Sequence, residues 1–267
     1  MNVSLIITTY NWKEALAVVL QSVRLQVRLP DEVIIADDGS RDDTAEMIRQ
    51  FAKDFPVPLI HSWQEDKGFR LAQSRNQAIA KSCGDYIIIV DGDIQLPVHF
   101  IADHCQIAKA GQFIQGGRVL LPATLSKAII EQFQYPQMFA KGLRNRKNIL
   151  RSQSLSRIFS KVRNHDGATR GCNMSFWRAD LLRVNGYNEG FVGWGREDSE
   201  LVIRLLNAGL SRYYLKFLGA GYHLYHSESD RSQLAENDRI YQHAKVSGII
   251  RCEQGLDRHL FEQPREQ

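Results

Sequence analysis

No stretch of this sequence stays apolar for anything near the ~20 residues that cross a bilayer. The most apolar run, Tyr86 to Val90, is only strand-sized. The N-terminus, MNVSLIITTYNW, has neither a basic n-region nor a long apolar h-region, so no secretory signal is expected there. Cysteine is scarce and scattered. Cys83, Cys105, Cys172 and Cys252 form no CxxC pair and no zinc spacing. Reduced thiols in the cytosol are the expectation. No GxGxxG follows the first apolar run, which disfavours a dinucleotide dehydrogenase. That position reads ITTYNW, not a glycine-rich phosphate loop, which argues against a sugar-phosphate nucleotidyltransferase. A strong charge imbalance is missing too. With 34 Lys+Arg against 30 Asp+Glu the formal net charge is +4, too mild for a duplex nucleic-acid binder.

One absence is local. From Gln132 to His165 there is no acidic residue, while Lys141, Arg144, Arg146, Lys147, Arg151, Arg157, Lys161 and Arg163 are basic. Ile149, Leu150, Leu155, Ile158, Phe159 and Val162 are interspersed. Two readings stand. Residues 141–163 form a basic amphipathic helix on a membrane surface, or 132–165 is a solvated, mobile segment.

What is present is an ordinary globular composition, 43% hydrophobic and 24% charged. Apolar runs Val3–Ile7, Val33–Ala36, Leu59–Ser62 and Tyr86–Val90 read as strands. Helical spacing lies between them: Ala15, Leu16, Val19, Leu20 and Val23, then Ala45, Ile48 and Phe51/Ala52, then Leu71, Ala72, Ala78 and Ile79 within 70–82. Asp43 or Thr44 is the expected cap of the second helix. Leu201, Val202, Leu205 and Leu206 predict a helix ending near Gly209, and Tyr213–Phe217 and Tyr222–Tyr225 predict late strands. The tail after about Asp257 is polar and expected to fray. Such alternation predicts an α/β fold, a single mostly parallel, Rossmann-like sheet flanked by helices. Ligands then bind beyond the carboxyl ends of the strands. Thr8-Thr9-Tyr10-Asn11, Asp37-Asp38-Gly39-Ser40 and Asp91-Gly92-Asp93 all fall there.

Asp91 and Asp93 flank a glycine just past a strand, so both carboxylates can face one ligand. Their oxygens suit Mg²⁺ or Mn²⁺, which keep substrate phosphates in their shell. The four blocks VSLIITTYN, VIIADDGSRDDT, DKGFRLAQSRNQAI and GDYIIIVDGD span residues 3–93. In their order and spacing they resemble the family 2 glycosyltransferases, which have the GT-A fold. The resemblance implies a nucleotide-sugar pocket lined by Thr8, Thr9 and Tyr10. Asp38, with Asp37 beside it, would bond the uracil or ribose, and Arg75 would approach the nucleotide or its phosphates. Asp91 would sit near the ribose and the metal, Gly92 in the nucleotide-sugar pocket, and Asp93 would be a direct metal ligand.

A second resemblance covers 171–229. Gly186-Tyr187-Asn188-Glu189-Gly190-Phe191 leads into Gly193-Trp194-Gly195-Arg196-Glu197-Asp198-Ser199-Glu200. This looks like the acceptor module of β-1,4-galactosyltransferases and chondroitin-type polymerases, with its WGxED signature. The residue chemistry agrees. A Trp ring offers an apolar face and an N–H to a sugar. Flanking glycines let the backbone come close. A following carboxylate can take the proton of an attacking hydroxyl. The resemblance makes Asp198 the base and gives the acceptor to Glu197, Trp194 and Gly195. Gly171 to Ser175 would line the site between the modules. It completes the metal site with a later histidine, His226 in preference to His223.

Together these imply one GT-A domain over 1–267: a nucleotide-sugar part at 1–115, the basic segment at 132–165 and an acceptor part at 166–257. The implied activity is inverting and Mn²⁺- or Mg²⁺-dependent. A hexose or N-acetylhexosamine would pass from a UDP-sugar to a hydroxyl of a glycan or glycolipid in bacterial surface polysaccharide or lipopolysaccharide synthesis. The expected location is cytoplasmic, or peripheral on the inner membrane through 141–163, with no nucleic-acid partner. The alternative is a non-catalytic nucleotide-sugar- or glycan-binding protein of the same fold.

Overall fold

The computed structural model describes residues 1–227 and 230–260. Its first half runs β1 (Val3–Thr9), α1 (Lys13–Arg24), β2 (Glu32–Asp37), α2 (Asp42–Ala52), β3 (Leu59–Trp63), α3 (Leu71–Lys81), β4 (Tyr86–Asp91), β5 (Ile94–Gln95), α4 (Phe100–Ile107), β6 (Gln112–Gln115), β7 (Arg118–Leu120) and α5 (Ala123–Glu131). After a 3₁₀ turn (Arg146–Ile149) come α6 (Gln153–Phe159), β8 (Lys161–Val162), β9 (Asn173–Trp177), α7 (Arg178–Val184), α8 (Glu197–Asn207), β10 (Ser211–Tyr214), β11 (Gly221–His223), α9 (Leu234–Ser247) and α10 (Asp257–Leu260).

The large sheet has eight strands in the order β3-β2-β1-β4-β9-β6-β10-β8. Pairing is parallel from β3 to β4, and β9 runs antiparallel to both β4 and β6. Every residue of β1 and β2 is buried, as expected of parallel strands covered on both faces. Ile6, Ile34 and Ile89 point to one face and meet Met174, Leu201 and Val202 from the second half of the chain. Leu5, Ile7, Ile35 and Ile88 point to the other and meet Leu16, Val19 and Leu20 of α1. A three-stranded sheet, β5-β11-β7, is added beside the single sheet expected. Tyr222 of β11 and Leu224 just after it join a third apolar cluster with Val119 and Ile129. This small sheet sets the end of β4 beside the loop after β11.

Several expectations change in detail. Arg41 stands at the start of α2 without a side-chain cap, and Asp43 instead pairs with Lys13 at 2.9 Å. The inner face of α2 is Thr44, Met47, Ile48 and Phe51, while Ala52 is exposed. Both late strands are shorter than their apolar runs, and in the first of these runs Phe217 takes a left-handed φ of 60°, outside the extended region. Asp257–Leu260 closes the described chain as a helical turn, and the rest of the polar tail lies outside the described residues.

The basic segment is not one amphipathic helix. Its apolar residues face different neighbours: Leu143 and Ile149 join the third cluster, whereas Ile158 and Val162 are exposed. Ser152 caps the seven-residue α6, accepting from Leu155 N–H at 3.3 Å. Arg151 grips the buried Asp103 through Nε and Nη2, at 2.7–3.2 Å.

Candidate active site

The predicted clusters converge on one cleft of about 1010 Å³ beyond the ends of β1 and β4. Thr8, Thr9, Tyr10, Asp38, Arg75, Asp91, Gly92, Asp93, Trp194, Glu197, Asp198 and His226 all line it. Asp37 and Gly195 do not. Asp37 is fully buried, with Oδ1 accepting Ser40 N–H at 2.8 Å and Oδ2 meeting His61 Nε2 at 2.8 Å. It therefore shapes the Asp37–Ser40 turn instead of facing a nucleotide. Asp38 does face the cleft. Gln64 Nε2 donates to its Oδ1 at 2.6 Å and the Arg70 backbone N–H to its Oδ2 at 2.8 Å. Burial still pushes its carboxyl up to about 6.

Gly92 lets β4 end against β1, since a Cβ there would strike the Thr8 carbonyl oxygen. Past that glycine, Asp93 Oδ2 lies 3.3 Å from His226 Nε2 and 3.7 Å from His223 Nε2. Ligand atoms of these three residues sit within 4.8 Å of one another. Oδ1 of Asp93 is buried without a partner. Burial, then the neighbouring Asp91, pushes this carboxyl well above its usual range. Burial pushes His223 down to about 4, so its imidazole is neutral at pH 7. His226 Nδ1 donates to the Ser227 carbonyl at 2.6 Å, and its Nε2 faces Asp93. The Asp93 carboxyl and the two imidazoles make an O,N,N donor set that fits a divalent ion such as Mn²⁺.

The grouping differs from the ligand set expected from sequence. His223 stands with His226, not as its alternative. Asp91 is outside the group: its Oδ1 accepts from Thr8 Oγ1 and Arg75 Nη2, both at 3.2 Å. Arg75 reaches carboxylates on both sides of the cleft. It is 1% exposed, and its Nη1 donates to Asp198 Oδ1 at 2.9 Å and lies 3.5 Å from Glu197 Oε1. Its guanidinium stacks over the Tyr187 ring at 4.9 Å.

The WGRED stretch makes this possible. Gly193, Gly195 and Arg196 all take positive φ, 75°, 107° and 77°. The chain then enters α8 with Glu197 and Asp198 in its first turn, where the helix dipole favours negative charge. Burial outweighs that help. Glu197 is pushed up to about 7, and Asp198 is raised by burial against the opposing pull of Arg75. Gly171 presses on Asp198, since a Cβ there would overlap its carboxylate. Trp194 lies in the cleft wall with the Arg231 guanidinium 4.9 Å above its ring.

Of the Gly171–Ser175 stretch only Gly171 and Cys172 reach the cleft. Cys172 is a buried thiol pushed up to about 12, so it is no nucleophile at neutral pH. Sequence reading missed Arg118, whose Nη1 donates to Cys172 Sγ at 3.4 Å and whose buried Nε has no partner. Its position at the start of β7 carried no motif to reveal it.

Comparison with known proteins matches the same two stretches. The family model for glycosyl transferase family 2 covers residues 4–150, and that for the N-terminal domain of galactosyltransferase covers 153–227. The chain belongs to glycosyl transferase family 2. Chondroitin synthase of Escherichia coli is 27% identical over 82% of this chain and 34% of its own length. Hyaluronan synthase of Pasteurella multocida is 26% identical over 78% of this chain and 23% of its own. Validoxylamine A glucosyltransferase of Streptomyces hygroscopicus subsp. limoneus is 27% identical over 78% and 48%. This family member thus spans half the length of those relatives or less. Residues 1–349 of S. aureus TarS, solved in complex with UDP, superpose with a TM-score of 0.61 at 14% identity, over 97% of this chain and 68% of that one. That likeness shows the GT-A fold of this glycosyltransferase. No helix among the described residues is long and apolar enough to cross a membrane.

Proposed function

We propose that the chain is an inverting glycosyltransferase that moves a hexose or N-acetylhexosamine from a UDP-sugar to a glycan or glycolipid hydroxyl in bacterial surface-polysaccharide or lipopolysaccharide synthesis. One observation carries the reading: a single cleft holds both a cation donor set and a buried carboxylate, Asp198, of raised pKa. Residues 1–115 would take the donor and 166–257 the acceptor. Thr8, Thr9, Tyr10 and Asp38 would hold the nucleotide. Asp93, His223 and His226 would bind Mn²⁺ or Mg²⁺, which when bound supplies positive charge against the diphosphate leaving group.

Asp198 would accept the proton of the acceptor hydroxyl. That oxygen bonds to the anomeric carbon on the face opposite the diphosphate as the sugar–phosphate bond breaks, so configuration inverts. Glu197, pushed up to about 7, would keep its proton long enough to donate to an acceptor oxygen. Trp194 would offer its ring face to the acceptor sugar. General base catalysis is worth about 10²–10⁴-fold. Asp198→Asn should therefore abolish most turnover while UDP binding survives. UDP release from a panel of UDP-sugars, with Mn²⁺ and with EDTA, tests this. Release by one donor, lost with EDTA and in the variant, is the expected result. Mn²⁺-dependent UDP binding without release would favour the binding-protein alternative.

The proposed location is cytoplasmic, with peripheral contact at the inner membrane. Ile158, Phe159 and Val162 are 65%, 48% and 48% exposed beside Arg157 and Lys161. Apolar and basic side chains so mixed favour an anionic bilayer surface. Binding to anionic vesicles at low salt, falling as salt rises, is the expected outcome, and indifference to vesicles would remove this contact.

A further inference from the structure

A second cavity, of about 500 Å³, opens beside the cleft, and Arg170 lines both. Arg146, Lys147 and Lys216 also line it, and no carboxylate does. Among the described residues none of these four makes an ion pair, whereas Arg151 in the same segment is paired with Asp103. Cations gathered in a concave space without a counter-charge repel one another and focus a field that attracts anions.

The fold holds this cavity open. Asn145 takes a left-handed φ of 59° and so turns the chain into the 3₁₀ turn that carries Arg146 and Lys147. Asn148 Nδ2 donates to the Arg118 carbonyl at 2.9 Å, which pins that turn to β7. On the other wall Lys216 N–H donates to Ser160 Oγ at 2.9 Å, and its Nζ sits 5.8 Å over the Tyr214 ring. Leu143 and Leu215 are buried beneath.

We propose that this second cavity is an acceptor subsite for an anionic group, a phosphate or carboxylate carried on a glycan, with Arg170 joining it to the reacting end. The word acceptor rests on the transferase reading above; the anion site does not. A glycan fits better than a lipid surface, because the apolar residues here are buried under the cations and do not stand out beside them. Paired guanidinium and ammonium donors bind such oxyanions through short, charge-assisted hydrogen bonds.

NMR titration of the full chain with glucose, glucose 6-phosphate and glucuronate tests the proposal. The two charged sugars should shift the amide signals of 143–148 and 214–216, and glucose should not. Lys147→Gln with Lys216→Gln should weaken the charged sugars about tenfold and leave UDP affinity unchanged. Arg146→Gln, on the same turn, is the second variant should the double one fail to fold. Equal response to glucose, or charged-sugar binding untouched by both variants, overturns the proposal. A parallel titration with anionic vesicles gives the other outcome: vesicle binding lost in these variants, with neither charged sugar bound, overturns the proposal and makes the occupant a lipid surface. The titration is run with and without UDP. Failure to bind UDP would sink the donor assignment and leave the cavity's own result intact.

Discussion

Arg75 is buried yet faces three carboxylates, those of Asp91, Glu197 and Asp198. It joins the end of the first-half sheet to the proposed base. Removing one member of such a group leaves the rest as uncompensated buried charge, at a cost of about 3–5 kcal/mol. Arg75→Met should lower the melting temperature accordingly. The pH dependence has a definite sign. Burial raises Glu197 and Asp198, and Arg75 opposes it. Without Arg75 both climb further. The folded variant would then hold protons that the unfolded chain releases, so its stability falls as pH rises through the carboxylate range. The melting defect should be widest above pH 7 and shrink toward pH 5. The acidic limb of kcat/KM should move to higher pH, because the base must be ionised. A defect independent of pH would show that Arg75 acts by packing alone.

At the level of elements, the junction between β9 and α8 decides whether the site forms. Asp198 occupies the first turn of α8, and the chain entering β9 passes it so closely that Gly171 has no room for a side chain. Gly171→Ala should displace the Asp198 carboxylate and cut turnover by 10²-fold or more in order of magnitude, the scale of a lost general base. UDP affinity should hold, since Thr8, Asp38 and Asp93 lie on other elements. Equal loss of UDP binding would mean that the β4–β9 pairing itself had been disturbed. The elements β1 to β4 were legible because their apolar runs are continuous and their helices keep one period. The WGxED turn was legible from its glycines. The end of the strand predicted to reach Phe217 was not, because Phe217 is apolar and its left-handed φ leaves no trace in hydropathy. Nor was the basic segment, whose charge says nothing of the Arg151–Asp103 pair or the serine cap that break it into short pieces.

Across the whole molecule, the proposed cation site joins residues 130 or more positions apart. Asp93 follows β4 of the large sheet, and His223 and His226 come from the end of β11 in the small one. Sequence alone supplied the residue types but not the choice among them. It could not show that Arg75 and Thr8 occupy Asp91, or that the β5-β11-β7 sheet turns both histidines onto Asp93. A ligand that binds only the folded chain stabilises it by about 2.7 kcal/mol at a hundred times its Kd. For a chain of this size that is a rise of roughly 5–10 °C in melting temperature on adding Mn²⁺. Asp93→Asn, His223→Ala and His226→Ala should each abolish most of the rise. Asp91→Asn should keep it, although its own melting point will be lower for want of the Arg75 contact. A rise lost in Asp91→Asn but kept in His223→Ala would restore the Asp91, Asp93 and His226 set that the sequence favoured, and would mean that Arg75 releases Asp91 when the ion arrives.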